Sequence, residues 1–290
     1  MGPGGPVDVL LGYLIMKKRV AYQGIKGSFS SMAASAMLGA DFEALTTSRF
    51  RDIFEHVTSA RADIGIIPIE NALAGSVHEN YDLLAEFNCS IIAEYYCPVQ
   101  LHLMATGLLA GGINELRQII SHPKALEQCS QFLEAHPLAT PVQFSDTAGA
   151  ALHVKQIEDP RIAAVASEEA ANTYGLQIVA HSIQNHAINS TRFVAISAKP
   201  ESLNTPSKCS LLLTLPHAPG SLARILSEIA SFDTNVTKIE SRPILGKPFE
   251  YKFYIDIESF KQPAETLVKV IEKIKSHAAG CRVLGIYGNY

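Results

Sequence analysis

The chain of 290 residues is 47% hydrophobic and 18% charged, which suits two domains with a sizeable core and excludes a disordered, solvating role. Its 24 basic and 28 acidic residues leave a net charge of −4, and with no block of Lys or Arg there is no footprint for nucleic acid. No apolar run approaches the ~20 residues of a bilayer span, so no membrane partner is expected.

Residues 7–15 are apolar, but only Met1 and a Gly/Pro run precede them, without the basic n-region of a secretory signal. Residues 1–18 therefore read as a disordered stretch or extension. From 19 to 198 the chain alternates β-branched runs with helical patterns. Strands are predicted at 19–22, 63–67, 118–121, 142–145, 162–166 and 193–197. Helices start near Ser28, Val77, Lys124, Asp146 and Glu168, and the helix from Lys124 extends to Leu133. This alternation predicts an α/β unit with a largely parallel sheet. Two such sets, joined by crossings near 98–105 and 183–192, imply two lobes with a cleft between them.

Residues 199–208 are polar, hold two prolines and read as a linker. Beyond them, 209–288 follows a countable pattern. A helix carries Leu222, Ile225, Leu226 and Ile229, and a strand alternates Tyr251, Phe253, Ile255 and Ile257 with polar neighbours. A second helix carries Leu267, Val270, Ile271 and Ile274. The order βαββαβ is the ferredoxin-like plan. One face of its sheet needs cover beyond its own two helices, most simply from a partner subunit.

The five cysteines are odd in number and scattered, which suits reduced thiols in a cytoplasm rather than disulfides or a zinc site. Ten histidines include no His-Glu-x-x-His, so no metal is expected. There is no Gly-x-Ser-x-Gly elbow, Walker loop or dinucleotide fingerprint, and a site without cofactors is the better reading. Three polar loops could carry chemistry. The loop from Gln23 to Ser30 enters a helix N-terminus, where free N–H groups suit an anion, although a plain tight turn explains it as well. The loop 68–76 offers Asn71 as a two-way hydrogen-bonder. In Thr191-Arg192-Phe193, Thr191 could donate a hydroxyl proton while Arg192 pairs with a carboxylate, unless the segment is a plain strand entry.

Together these segments resemble the prephenate dehydratase family over residues 19–288. The carrying residues are Ala21-Tyr22-Gln23-Gly24 with Gly27-Ser28-Phe29-Ser30, Pro68-Ile69-Glu70-Asn71 with Gly75-Ser76-Val77, and Ser121-His122-Pro123 with Gln128-Cys129. Asp146-Thr147-Ala148 and Thr191-Arg192-Phe193 complete the set, while Pro219-Gly220-Ser221-Leu222 and Glu240-Ser241-Arg242-Pro243 are similar to the phenylalanine-binding signature of the family's ACT regulatory domain. Lys26, Ala72 and Lys124 depart from the family pattern, the last standing where glutamine is common.

The resemblance implies a two-lobed catalytic domain like a periplasmic binding protein at 19–198 and an ACT domain at 209–288. It implies a cytoplasmic, monofunctional enzyme that converts prephenate to phenylpyruvate without cofactors. Thr191 would be catalytic. Ser28, Glu70, Asn71, Gly75, Ser76, His122, Gln128, Arg192 and Phe193 would bind substrate. Phenylalanine would act as allosteric effector at His217, Ala218, Pro219, Gly220, Ser221, Leu222, Asn235, Val236, Glu240 and Ser241, in a homodimer or homotetramer. The rival readings are an arogenate dehydratase and a non-catalytic small-molecule sensor.

Overall fold

The computed structural model describes residues 17–107, 109–244, 246–261 and 263–290. The extension expected at 1–18 falls outside the described residues except at its end, where Lys18 already pairs in the first strand.

The chain opens with β1 (Lys18–Gln23), α1 (Phe29–Leu38), β2 (Phe42–Thr47), α2 (Phe50–Thr58), β3 (Ile64–Asn71), β4 (Gly75–Ser76), α3 (His78–Glu86) and β5 (Ser90–Pro98). It continues with β6 (His102–Ala105), β7 (Gln118–Ser121), α4 (Pro123–Gln128), α5 (Ser130–Ala135), β8 (Thr140–Gln143), α6 (Thr147–Ile157), β9 (Ile162–Ala166), α7 (Glu168–Tyr174) and β10 (Gln177–Ala180). Then β11 (Ser190–Ser197) re-enters the first sheet, whose order is β2-β1-β3-β11-β5 with β4 beside β3. The second sheet has the order β10-β6-β9-β7-β8.

Both sheets are mixed rather than largely parallel. β11 runs antiparallel to β3 and β5, and β6 antiparallel to β9. The cause is the route of the chain, which leaves the first lobe after Pro98 and returns from the second only before Ser190. The two crossings run side by side, Val99 N–H donating to Asn189 O (2.9 Å) and Ile183 N–H to Leu101 O (2.8 Å). Ser28, Asp146 and Ser167 cap α1, α6 and α7 with their side-chain oxygens. The single helix expected from 124 to 133 is instead two, divided at Cys129.

The C-terminal unit comprises β12 (Lys208–Thr214), α8 (Ser221–Ala230), β13 (Asn235–Pro243), β14 (Tyr251–Glu258), α9 (Pro263–Lys275) and β15 (Gly280–Tyr287). Its antiparallel sheet has the order β13-β14-β12-β15. Lys208, placed in the linker by composition, is the first residue of β12. Leu211, Leu213, Ile255 and Ile257 pack against Ile225, Ile229, Leu267 and Ile274 of the two helices. The other face presents Tyr254, Leu284 and Tyr287, which join Ile53, Phe54, Tyr81 and Leu84 in one core with the first lobe. The cover for this face therefore comes from the same chain, not from a partner subunit. Gly285 permits the approach, since a Cβ there would lie 2.1 Å from the Ile91 carbonyl oxygen. Among the described residues no helix is long and apolar enough to cross a membrane.

A charge cluster is sealed into this junction. Arg192 of β11 donates from Nε to Glu94 of β5 (2.7 Å), from Nη1 to Asp256 of β14 (2.5 Å) and from Nη2 to Tyr287 of β15 (2.9 Å). Lys208 of β12 reaches the second oxygen of Glu94. The Tyr287 and Ser210 hydroxyls bond to each other, and Ser210 donates to Asp256. All four charged side chains are at most 6% exposed. Burial works against the Arg192 and Lys208 charges, but the neighbouring carboxylates outweigh it and raise both pKa values. Removing one member would strand its partners in a low-dielectric junction. Arg192→Met is therefore expected to destabilise the protein by about 3–5 kcal/mol in denaturant unfolding. A loss below about 1 kcal/mol, the scale of an exposed pair, would show that the cluster is solvated.

Candidate active site

Parity along β3 and β11 sorts the polar residues of the crossing region into two groups. In the register Thr191 pairs with Asn71 and Arg192 with Glu70, after which the ladder slips so that Phe193 faces Pro68. Ile69 is thus the extra residue of a β-bulge, and the bulge re-aims the end of β3. Asn71 turns to the same side as Thr191, while Glu70 turns to the side of Arg192.

On the first side, the Asn71 amide holds Thr191. Asn71 Oδ1 accepts from the backbone N–H groups of Leu73 (3.0 Å) and Ala74 (2.9 Å), which fixes the orientation of the amide. Its Nδ2 then donates to Thr191 Oγ1 (3.0 Å) and to Asn189 Oδ1 (2.9 Å). Because Thr191 accepts this bond, its own O–H is left to donate outward. Asn189 in turn donates to Gln128 Oε1 across the cleft (3.4 Å). Thr191 and Asn71 face a cavity of about 260 Å³ shared with Phe29, His122, Lys124 and Gln128. A second cavity of about 560 Å³ adjoins it through Phe29, His122 and Thr147, and is lined by Gln23, Ser28, Thr47 and Asp146. Together they form one groove between the lobes.

Each wall has a local cause. Ser28 caps α1 by accepting from Ser31 N–H (3.2 Å), which leaves the start of that ten-residue helix facing the groove. Gly27, at φ +86°, lets the loop meet the second lobe; a Cβ would lie 2.9 Å from Ala170 Cα. Ser167 seals the contact by donating to Gly27 O (2.8 Å). His122 caps α4, its Nδ1 accepting from Lys124 N–H (3.2 Å). Burial lowers the His122 pKa, though Asp146 opposes the shift, so the ring stays neutral to lower pH than an ordinary histidine.

On the second side the sequence-based assignments need correction. Arg192 is committed to the buried cluster and cannot hold a substrate carboxylate in the groove. Phe193 is 2% exposed in the core of the first lobe, against Val20, Tyr22 and Ala33. Glu70 accepts from Lys238 of β13 (2.8 Å), and Ser76 both accepts from Lys238 (2.9 Å) and donates to Glu240 (2.7 Å). These two contact the C-terminal unit, not the groove. Ser76 lies on β4 rather than at a helix start, and α3 has no side-chain cap. Gly75, at φ +80°, makes the turn that returns β4 to β3. Sequence reasoning misses Asn189, Phe29, Thr47, Lys124 and Thr147 as groove residues. Phe29 and Thr147 stand inside the family motifs and Asn189 lies two residues before one, whereas Thr47 needs β2 to be recognised.

In the C-terminal unit, His217, Ala218, Ser221 and Leu222 line a cavity of about 150 Å³ with Glu250, Tyr251 and Phe253. Gly220, at φ +80°, turns the chain into α8 beside it, following Pro219. Asn235, Val236 and Ser241 are on β13 and do not line this cavity, while Glu240 engages Ser76. Among the described residues no group of His, Cys, Asp and Glu side chains converges as metal ligands.

A groove between two α/β lobes, with an amide-held hydroxyl beside a capped helix start, is a candidate site for a small anion. The family model for prephenate dehydratase matches residues 20–201. The chain belongs to the prephenate dehydratase family, and with it to the hydro-lyases of phenylalanine biosynthesis. It is 38% identical over 280 residues to an arogenate dehydratase/prephenate dehydratase of Arabidopsis thaliana, covering 93% of this chain and 72% of that one. It is 35% identical over 272 residues to a bifunctional chorismate mutase/prephenate dehydratase of Aquifex aeolicus, covering 93% and 74%. Among solved structures, prephenate dehydratase of Arthrobacter aurescens in complex with L-Phe superposes with a TM-score of 0.81 at 27% identity, covering 93% and 90%.

If the Asn71 amide sets the Thr191 hydroxyl, Asn71→Ala should lower kcat at least about tenfold, within the usual contribution of a positioned proton donor, with a smaller change in KM. Steady-state kinetics on prephenate checks this, and an unchanged kcat would free Thr191 from dependence on Asn71.

Proposed function

We propose that the groove carries out the decarboxylating dehydration of prephenate to phenylpyruvate, with Thr191 as the group that assists the departing hydroxyl. The carrying observation is the Asn71–Thr191 pair, in which the Thr191 hydroxyl at the groove wall accepts from the amide and so keeps its own proton to donate. In the reaction the bond from the ring to its carboxylate breaks, and carbon dioxide leaves. The electron pair of that bond enters the ring, the C–O bond on the opposite ring carbon breaks, and hydroxide takes up a proton to leave as water. Formation of the aromatic ring supplies the driving force. The protein must orient the ring, hold two carboxylates and stabilise the negative charge that builds on the leaving oxygen.

Thr191 is the residue we assign to the last task. A threonine hydroxyl is a poor Brønsted acid, so it acts chiefly as a hydrogen-bond donor, with a proton relayed from behind it where full transfer is needed. His122 faces the same cavity and is the relay this groove best supports. The N-terminus of α1 at Ser28 supplies backbone donors to one carboxylate. The assay is phenylpyruvate release from prephenate by the purified protein. Thr191→Val, which keeps the shape and removes the hydroxyl, should lower turnover about a hundredfold or more, while Thr191→Ser should retain most of it. Equal rates for wild type and the valine variant would remove Thr191 from the mechanism.

The C-terminal unit reads as an ACT regulatory domain that binds phenylalanine beside Gly220. Support comes from the cavity there, apolar at Leu222 and Phe253 and acidic at Glu250, and from the phenylalanine held by the Arthrobacter relative. Free N–H groups at the start of α8 suit the effector's carboxylate and Glu250 its ammonium. Exposed Ile239 on edge strand β13 supports assembly into a homodimer or homotetramer. The setting would be the cytoplasm. Phenylalanine should bind in calorimetry and reduce prephenate turnover, and Glu250→Ala should weaken both effects together. Inhibition that persists without the carboxylate would place the effector elsewhere.

A further inference from the structure

The site must hold a substrate with two negative charges, yet the arginine beside Thr191 is unavailable to it. Both joined cavities have walls that are nearly uncharged. Among the described lining residues the charged side chains are Asp146 and Lys124. Asp146 is already engaged, its Oδ1 accepting from Gly149 N–H (2.7 Å) as the cap of α6. His122 accepts a backbone bond through Nδ1, and burial favours its neutral form. Among the described residues, Lys124 is therefore the one cation at the groove. It stands on α4 of the second lobe and lines the same cavity as Thr191 of the first. Its ion pair with Glu127 (2.9 Å) leaves both side chains more than 60% exposed, so water screens the pair and the ammonium can exchange partners at little cost.

Resting on the prephenate reading above, we propose that Lys124 binds the side-chain carboxylate of the substrate and sets the preference for a keto-acid over an amino-acid side chain. The choice of carboxylate follows from the chemistry. Charge disappears from the ring carboxylate as carbon dioxide forms, so a cation there would favour the ground state over the transition state. The side-chain carboxylate keeps its charge throughout, and a cation there strengthens binding without opposing the reaction. The same position disfavours arogenate, which carries an ammonium on the carbon next to that carboxylate. Two ammonium groups would then share one carboxylate in a half-closed groove, where like charges repel more strongly than in open water.

The test compares wild type, Lys124→Gln and Lys124→Arg on prephenate and arogenate, at low and moderate salt. Lys124→Gln is expected to raise KM for prephenate about tenfold while kcat changes little, and to flatten the salt dependence of kcat/KM. For arogenate the same variant should hold or gain kcat/KM, so that the ratio of the two substrates shifts by about tenfold or more. Lys124→Arg should restore the prephenate KM. Equal losses on both substrates, or an unchanged KM for prephenate, would overturn the proposal. Wild-type protein that releases no phenylpyruvate would instead overturn the reading of the reaction, so the two failures are separable.

Discussion

The structure depends on the burial of Arg192. This guanidinium has left water with its charge intact, and it is tolerable only because Glu94, Asp256 and Tyr287 surround it in bonding geometry. The partners come from three strands in two structural units. Glu94 is on β5 of the first lobe, while Asp256 and Tyr287 belong to the C-terminal sheet. If the C-terminal sheet separates from the lobe, Asp256 and Lys208 lose their ion-pair partners, and Arg192 and Glu94 keep only each other. Hydrophobic burial of Tyr254 and Leu284 adds area to the junction, but the ion cluster fixes its register, because apolar surfaces slide and directional charge-assisted hydrogen bonds do not.

That requirement connects the C-terminal unit to the chemistry without a long path. Thr191 and Arg192 are adjacent on β11 and point to opposite faces, so the hydroxyl in the groove and the guanidinium in the junction share one strand. Asn71 and Glu70 are arranged likewise on β3, and Lys238 of β13 holds Glu70. Both residues of the oriented pair thus have a neighbour that the C-terminal unit grips from behind. A shift of that unit has only the thickness of a sheet to cross before it reaches Thr191. An effector bound near Gly220 would need only to alter the pose of its own sheet to change the aim of one hydroxyl.

Periodicity made much of this legible. The C-terminal order was readable because Tyr251, Phe253, Ile255 and Ile257 alternate strictly and both helices keep a clean apolar stripe. Asn71 and Thr191 stood out as polar groups beside strands. β2 was hidden because it is an edge strand whose Glu43 and Ala44 are exposed, leaving little alternation to read. α2 carries Phe50, Ile53, Phe54 and Val57 at helical spacing, a signal that attention to glycine loops passes over. The assignment of Arg192 to substrate failed because the strand was started at Phe193. With the strand beginning at Ser190, parity forbids Thr191 and Arg192 from serving the same side. The bulge at Ile69 was beyond reach. Simple alternation from Ile67 and Ile69 would send Asn71 toward the C-terminal unit, and only the extra residue turns it back to Thr191.

The placement of the cations also suits the reaction. A buried arginine clamped on the ring carboxylate would bind prephenate tightly and then resist the loss of charge that decarboxylation requires. The fold keeps Arg192 behind the strand that carries Thr191, and among the described residues the groove is left with neutral donors, a helix start and one solvated ammonium. Neutral donors around the ring carboxylate lose little when its charge departs as carbon dioxide. The leaving oxygen gains charge at the same moment, and the proposed donor to it is the Thr191 hydroxyl, which the Asn71 amide holds. The separation of the Thr191 hydroxyl from the Arg192 guanidinium thus follows from which face of β11 each side chain occupies.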